Sequence, residues 1–407
     1  MKKIILSVVA STLMLHASTD QDLKNEVELL KTQISTLEKR LDKNDSQAEK
    51  EKMQRALSGS NSFNQQDFLP NIALIANMSM LSRDVSNSDY ANYEIPGFLP
   101  SPGEIPFNPH RGFNLNYGEL EISSSVGPYF DVATALHMEK DGVHIGELFV
   151  TTKALPYGFK IKAGKFKSNF GRINSKHQHA WNFSTIPLVF ETFFGPGGLG
   201  DEGIQFQYTL PTDTYFSLNY EAMQGSNARS FGDIETNNLN IFYLKSSFDV
   251  TDYTSLLLGA TWMHGKYTNA ALPSSVDSDI YAADITLKHV FDSYSSLTWQ
   301  SELLQRDKDI KPASQKQAGL YSELIYKYNQ NWATGARYDL LYKNIDNQPD
   351  DLDKYSAMLE YKPFEFSKLR LQGSYDRSKL INGERKDITE FLLSLTIEAG
   401  SHGAHAF

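Results

Sequence analysis

From about Asn71 to Phe407 the chain repeats one pattern. Segments of roughly 9 to 14 residues alternate apolar and polar side chains, and the links between them are short and long in turn. In Lys368–Asp376, Leu369, Leu371 and Tyr375 share one face while Lys368, Arg370, Gln372 and Asp376 share the other. Trp332, Ala336, Tyr338, Leu340 and Tyr342 oppose Arg337 and Asp339, and Phe391, Leu393, Leu395 and Ile397 oppose Glu390, Ser394 and Glu398. A period of two is that of a β-strand. It fits either a soluble sheet with one wet face or a barrel with lipid outside and water inside.

The links decide between them. Short ones include Val126-Gly127, Pro211-Thr212, Val250-Thr251, Phe291-Asp292 and Asn329-Gln330, whereas Arg83–His110, Gln224–Glu235, Lys266–Ser278, Asp307–Lys316, Asn344–Asp353 and Leu380–Arg385 are longer and polar. Short turns at one end and long loops at the other characterise outer-membrane barrels. The pattern predicts an all-β chain: a transmembrane antiparallel β-barrel of about 16 strands over residues 69–407. Expected strand starts include Asn71, Phe113, Val143, Phe159, Glu202, Trp332, Lys354, Ser367 and Ile388. Aromatic residues near strand ends, such as Tyr326, Tyr328 and Trp332, suit interfacial girdles. The mean hydropathy of -0.41 excludes a bundle of membrane helices but not a barrel, whose lumen-facing half is polar.

Ahead of the barrel the organisation changes. Lys2 and Lys3 precede an apolar stretch from Ile4 to Leu15 and the small-residue site His16-Ala17-Ser18, so residues 1–17 read as a secretory signal peptide. Leu23, Val27, Leu30, Ile34, Leu37 and Leu41 follow the spacing of a heptad seam, which predicts a short α-helical coiled coil over residues 18–45. A stripe this narrow calls for partner chains. Residues 46–68 read as a polar linker. The chain has no cysteine, which excludes a disulfide scaffold or a Cys-ligated metal and suits export through an oxidising compartment. A net charge of -10 disfavours nucleic acid as a partner. No G-x-S-x-G occurs and no Ser-His-carboxylate grouping stands out, so neither catalysis nor a cofactor is expected.

A signal peptide, a coiled coil and a sixteen-strand barrel together resemble the trimeric porins of Gram-negative bacteria, in particular those with N-terminal coiled coils, the phosphate-selective and dicarboxylate-type porins. The stretch Gly164-Lys165-Phe166-Lys167-Ser168-Asn169-Phe170-Gly171-Arg172-Ile173-Asn174 adds a more local likeness, together with His177-Gln178-His179-Ala180-Trp181, Gly197-Gly198-Leu199-Gly200-Asp201-Glu202-Gly203 and the ending His402-Gly403-Ala404-His405-Ala406-Phe407. These segments look like a proteobacterial outer-membrane group labelled zinc-regulated TonB-dependent receptors. True TonB-dependent receptors carry a plug domain, whereas only the coiled coil and linker precede Asn71 here. The resemblance implies a homotrimer in the lipid of the outer membrane, with the coiled coil in the periplasm. It also implies a C-terminal Phe407 read by the barrel-assembly machinery, and passive passage of small hydrophilic solutes.

In sixteen-strand porins the third long loop folds into the lumen. Its counterpart here runs from about Ser168 to Gly200, and Lys165, Lys167, Arg172, Lys176, His177 and His179 would form a basic constriction favouring anions, with Asp201 and Glu202 at the exit. Its apolar residues, Trp181, Phe183, Phe190, Phe193 and Phe194, are expected to pack on the wall. Two alternatives remain. His177, His179, His402 and His405 could bind zinc or another divalent metal in an uptake protein, or the barrel could be a structural or adhesive one with an occluded pore.

Overall fold

The computed structural model describes residues 70–98, 108–139, 142–232, 237–269, 272–310, 314–342 and 352–400. The expected signal peptide, coiled-coil helix and linker, and His402, His405 and Phe407, lie outside the described residues. The strands are β1 (Asn71–Arg83), β2 (Tyr93–Glu94), β3 (Gly112–Val126), β4 (Phe130–Glu139), β5 (Gly142–Thr152), β6 (Phe159–Lys167), β7 (Gly200–Thr209), β8 (Tyr215–Met223) and β9 (Leu239–Thr251). They continue with β10 (Thr254–Tyr267), β11 (Val276–Val290), β12 (Ser296–Lys308), β13 (Gln315–Lys327), β14 (Trp332–Tyr342), β15 (Leu352–Tyr361), β16 (Ser367–Ile381) and β17 (Glu384–Gly400).

All but the two-residue β2 form one continuous antiparallel barrel of sixteen strands. Each pairs with its sequence neighbour, and β17 returns to β1 from Ala73↔Gly400 to Arg83↔Glu390, so no edge is left open. A short helix, α1 (Asn87–Tyr90), and β2 belong to the first long connection, and β2 pairs with the upper end of β16.

The two faces of this wall are inverted relative to a water-soluble protein. Leu371 is 50% exposed and Gln372 only 2%. Leu359, Tyr375, Phe391 and Leu393 also stand exposed, while Arg337, Asp339, Arg370 and Asp376 are buried toward the lumen. Large apolar groups presented outward on alternate positions around the barrel make a hydrocarbon-facing band. Among the described residues no helix is long and apolar enough to cross a membrane. In a bilayer, Leu371→Arg should cost about 2–4 kcal/mol near the midplane. The neighbouring Gln372→Arg, on the lumen side, should leave the barrel folded and loosen only the loop segment whose Ser184 amide Gln372 holds. The fraction of folded, heat-modifiable barrel on cold gels compares the two, and equal losses would contradict the assignment of faces.

The alternation is broken in two places that matter for the site. Asn77 pairs with Tyr117 but Met78 pairs with Leu115, leaving Asn116 extra in β3. Ala135 pairs with Glu147 but Leu136 pairs with Ile145, leaving Gly146 extra in β5. A bulge reverses the parity of the residues beyond it. His144 and Glu147, three positions apart, therefore both face the lumen. The link expected as long at Leu380–Arg385 is instead a tight turn on Asn382 (φ 54) and Gly383 (φ 79), the left-handed pair of a two-residue hairpin.

Candidate functional site

Loop L3, residues 168–199, joins β6 to β7 and folds into the barrel. Its two ends are clasped by Asn174, whose Nδ2 donates to the carbonyls of Ser168 (2.7 Å) and Leu199 (2.8 Å) while its Oδ1 accepts from the Leu199 amide (2.7 Å). Inside the loop lies helix α2 (Leu188–Phe194), all seven residues of which are buried. Asp339 Oδ1 on β14 accepts from the Leu188 amide at 3.0 Å, taking up one of the unpaired donors at the start of the helix. The helix ends at Gly195, whose φ of 95° an L side chain would resist.

The loop's apolar residues pack as the sequence suggests. Phe170 stacks on Phe190 at 5.9 Å and meets Phe194 edge-on at 5.5 Å, and Phe190 meets Tyr321 at 6.2 Å. Met263, Ile280, Leu304 and Leu341, lumen-facing on β10 to β14, join the same core. One side of the inner wall is thus apolar at this depth because it receives α2.

Polar anchors fix the remainder. Glu302 on β12 accepts from the amides of Arg172 (Oε2, 3.0 Å) and Ile173 (Oε1, 3.0 Å) and from the Tyr321 hydroxyl (2.6 Å). Arg337 donates to the Thr185 carbonyl (2.8 Å), Arg370 to the Trp181 carbonyl (2.8 Å), and Gln372 accepts from the Ser184 amide (2.8 Å). These strands carry charges in the lumen to hold a backbone that would otherwise lack partners.

A second group of wall residues meets the loop on the opposite side. His177 is buried between two carboxylates, with Nδ1 2.9 Å from Glu119 Oε2 on β3 and Nε2 2.7 Å from Glu147 Oε2 on β5. Burial lowers the pKa of this ring, but the two carboxylates outweigh it and raise the pKa to about 9. His137 Nε2 on β4 lies 3.3 Å from the same Glu119 oxygen, and His179 Nδ1 lies 3.1 Å from the Tyr117 hydroxyl. Glu147 is itself held by the Lys167 amide, which donates to Oε1 at 2.6 Å.

The residues expected to make a basic constriction are dispersed. Lys165 and Glu202 are cross-strand partners on the outer face with Leu148, since their neighbours Phe166 and Asp201 are the ones buried inward. Strand parity therefore removes both from the lumen. Asp201 accepts from the Gly225 and Ser226 amides (2.8 and 2.7 Å) and fastens the next loop. Lys167 Nζ donates to the Gly197 carbonyl. Arg172 pairs through Nε with Asp284 on β11. Burial lowers the pKa of the Lys176 ammonium, against the opposing pull of Glu323 and Glu302. Of the four histidines expected as metal ligands, His177 and His179 are neighbours, with ring centroids 5.9 Å apart. Glu119, Glu147, Asp284 and Glu302 were not singled out in the sequence, although each is a charged residue on the polar face of a strand.

Between the loop and the wall formed by β1 and β15 to β17 lies a gap of about 30 Å³, room for only a few waters. Arg83, Lys354 and Lys379 line it, with Glu191 of α2 and Glu390 of β17. Arg83 Nε pairs with Glu390 Oε1 at 2.6 Å and Lys379 Nζ with Asp376 at 2.7 Å.

Comparison with known proteins separates family from fold. No family model matches the sequence. A protein of Aquifex aeolicus (strain VF5), described as uncharacterized, is 36% identical over 383 residues, covering 85% of this chain and 81% of that protein. Among solved structures, the anion-selective porin from Comamonas acidovorans superposes with a TM-score of 0.53 at 10% identity, over 82% of this chain and 100% of that one. OmpT of Vibrio cholerae in its trimer form gives 0.52 at 9% identity, over 82% and 99%. Salmonella typhi OmpF, solved with daunomycin, gives 0.53 at 10% identity, over 82% and 99%. At these identities the likeness is one of fold.

Proposed function

The chain belongs to the same family as the Aquifex aeolicus protein, and because that relative brings no activity with it, we propose from the geometry that this protein is a porin of the Gram-negative outer membrane. It gives small hydrophilic solutes a passive route that loop L3 narrows. One observation carries the reading: a closed barrel exposes apolar side chains outward, buries charges inward and takes loop L3 into its lumen, where parts of the connections after β1 and β8 pack against it. The fold shared with the Comamonas porin and with the trimer form of Vibrio OmpT supports a channel and a homotrimer. In this reading the heptad residues Leu23 to Leu41 associate in the periplasm, and Phe407 serves assembly of the barrel.

The charge preference is assigned away from the loop. Arg172 and His177 are answered by Asp284 and by Glu119 with Glu147, so little net field remains from them. We assign it instead to the gap lined by Arg83, Lys354 and Lys379 with Glu191 and Glu390, where Lys354 is the most loosely paired cation, 3.7 Å from an Asp376 carboxylate that Lys379 already holds at 2.7 Å. The narrowness of that gap favours a second reading, a barrel that stays closed until the loop moves.

Planar-bilayer recording on the full-length protein tests these points together. Stepwise current is expected, with a reversal potential in a salt gradient that Lys354→Glu shifts toward cations. Absence of any step over the full voltage range would overturn the open-channel reading in favour of an occluded barrel. On semi-native gels, deleting Asp22–Lys43 should weaken a trimer, and unchanged migration would show that the barrel alone sustains it.

A further inference from the structure

We propose that Glu119, His137 and His177 form a binding site for a divalent first-row transition metal, with zinc as the reference ion, which ties loop L3 to the wall at β3 and β4. The inference does not depend on whether the barrel conducts.

Three side chains from three separate segments bring their ligand atoms within 4.8 Å of one another. Glu119 Oε2 is 2.9 Å from His177 Nδ1 and 3.3 Å from His137 Nε2. Ligands around a tetrahedral zinc at about 2.0–2.1 Å stand about 3.3 Å apart, so a small inward or outward relaxation of these groups seats the ion. Two imidazoles and a carboxylate, with no thiolate, are a donor set for zinc and its first-row neighbours rather than for calcium or magnesium.

The surroundings of His177 match what a ligating imidazole needs. Its Nε2 is held by Glu147 Oε2 at 2.7 Å, and Glu147 is held in turn by the Lys167 amide. A carboxylate on the far nitrogen fixes the tautomer and directs the other nitrogen at the metal. A proton on His177 could explain these two contacts alone. It leaves the approach of His137 Nε2 to within 3.3 Å of the same Glu119 oxygen unexplained, for that buried nitrogen makes no hydrogen bond of good geometry among the described residues. A buried polar atom left without a partner is costly. A cation between them gives the His137 nitrogen and the Glu119 carboxylate one shared partner, which the geometry of a direct contact does not.

The backbone keeps the room for it. At the bulge in β5 a Cβ on Gly146 would come within 2.6 Å of His137 Nε2, so only glycine leaves that ring where it is. The site also has an approach. Glu139 and His144, exposed near the end of β4 and the start of β5, group with His137, and the rings of His144, His137 and His177 follow one another at 5.3 and 5.5 Å.

The test uses the full-length protein without a polyhistidine tag, carrying His402→Ala and His405→Ala so that the terminal histidines add no signal. After removal of metal by a chelator, zinc is titrated against a competing chelating dye, and cobalt substitution is followed by its visible absorption. The parent should bind one zinc per chain and give the intense visible bands of a tetrahedral cobalt site. His137→Ala and Glu119→Gln should abolish stoichiometric binding, and Glu147→Gln should weaken it by about 10–100-fold. Gly146→Ala should weaken it with all ligands retained, which guards against misfolding of a ligand variant. His289→Ala, on the distant β11, should change nothing. Stoichiometric binding that survives in His137→Ala, or no binding above background in a parent shown folded by heat-modifiability, overturns the proposal.

Discussion

Replacing residues 176–194 by a short Gly-Ser linker should raise the single-channel conductance several-fold and admit larger sugars in liposome-swelling assays. The stretch contains α2 and most of the side chains that occupy the lumen, among them Trp181, Phe183, Phe190 and Phe193. Access of ions through a water-filled tube rises with its free cross-section, and this stretch fills the lumen against β10 to β14 and lines the gap at Arg83 and Glu390. The barrel itself should survive, because the strand ladder closes without the loop and Asn174 still clasps Ser168 to Leu199. A lower unfolding temperature is expected, since Met263, Ile280, Leu304 and Leu341 lose their cover and meet water. Unaltered conductance would show that ions do not pass the loop.

The second large effect is expected at Glu302→Ala. The carboxylate lies 1% exposed and gathers three donors, the amides of Arg172 and Ile173 and the Tyr321 hydroxyl. Removing it leaves the Arg172 and Ile173 amides without an acceptor, at about 1–3 kcal/mol each, while the Tyr321 hydroxyl keeps only the bond it accepts from Gln300. That penalty falls on the attachment of the loop rather than on the barrel. Frequent brief openings in bilayer records and rapid proteolytic cleavage within residues 168–199 are expected, with the heat-modifiable barrel intact. Gly171→Ala should act on the same contact from the other side, because a Cβ there would lie 2.1 Å from Glu302 Oε2 and the residue holds φ +60. Glu302→Gln, which keeps one acceptor oxygen, should be milder than either. Quiet channels and a protected loop in Glu302→Ala would remove Glu302 as an anchor.

Much of the architecture is legible in the sequence because a barrel strand writes its two environments into alternate residues. Leu371 against Gln372 and Phe391 against Glu390 show which side each faces, and the expected starts near Phe113, Val143, Glu202 and Lys354 fall within two residues of the strands that form there. The in-folding of the loop is implied by its likeness to the third long loop of sixteen-strand porins, whereas the packing of its aromatic residues is legible in the sequence, since so many Phe and Trp side chains cannot remain in water. The site was harder. Alternation tells which face a residue takes only until a bulge intervenes, and nothing periodic marks Asn116 or Gly146 as extra. The carboxylates that answer the loop's basic residues are remote in the chain, Asp284 being 112 positions from Arg172 and Glu119 58 from His177. Lys165 and Glu202 differ, because counting alternate positions from Phe166 and Asp201 turns them outward from sequence alone. Asn382-Gly383 was likewise readable as a tight hairpin rather than a loop.

The reach of loop L3 around the wall also sets an order of events. Its anchors join residues 129, 151, 188 and 210 positions apart in the chain, so none of them can form before the distant strands are in register. Hydrogen bonds between successive strands, by contrast, bridge hairpins and form locally, and in the wall only the closing seam of β1 on β17 is more remote than these anchors. The anchors need their wall strands in place, so docking of the loop is expected after the wall has closed. Pulsed proteolysis during refolding should find residues 168–199 cleavable after the barrel has become heat-modifiable, and protection of both at one rate would show that loop and wall assemble as a unit.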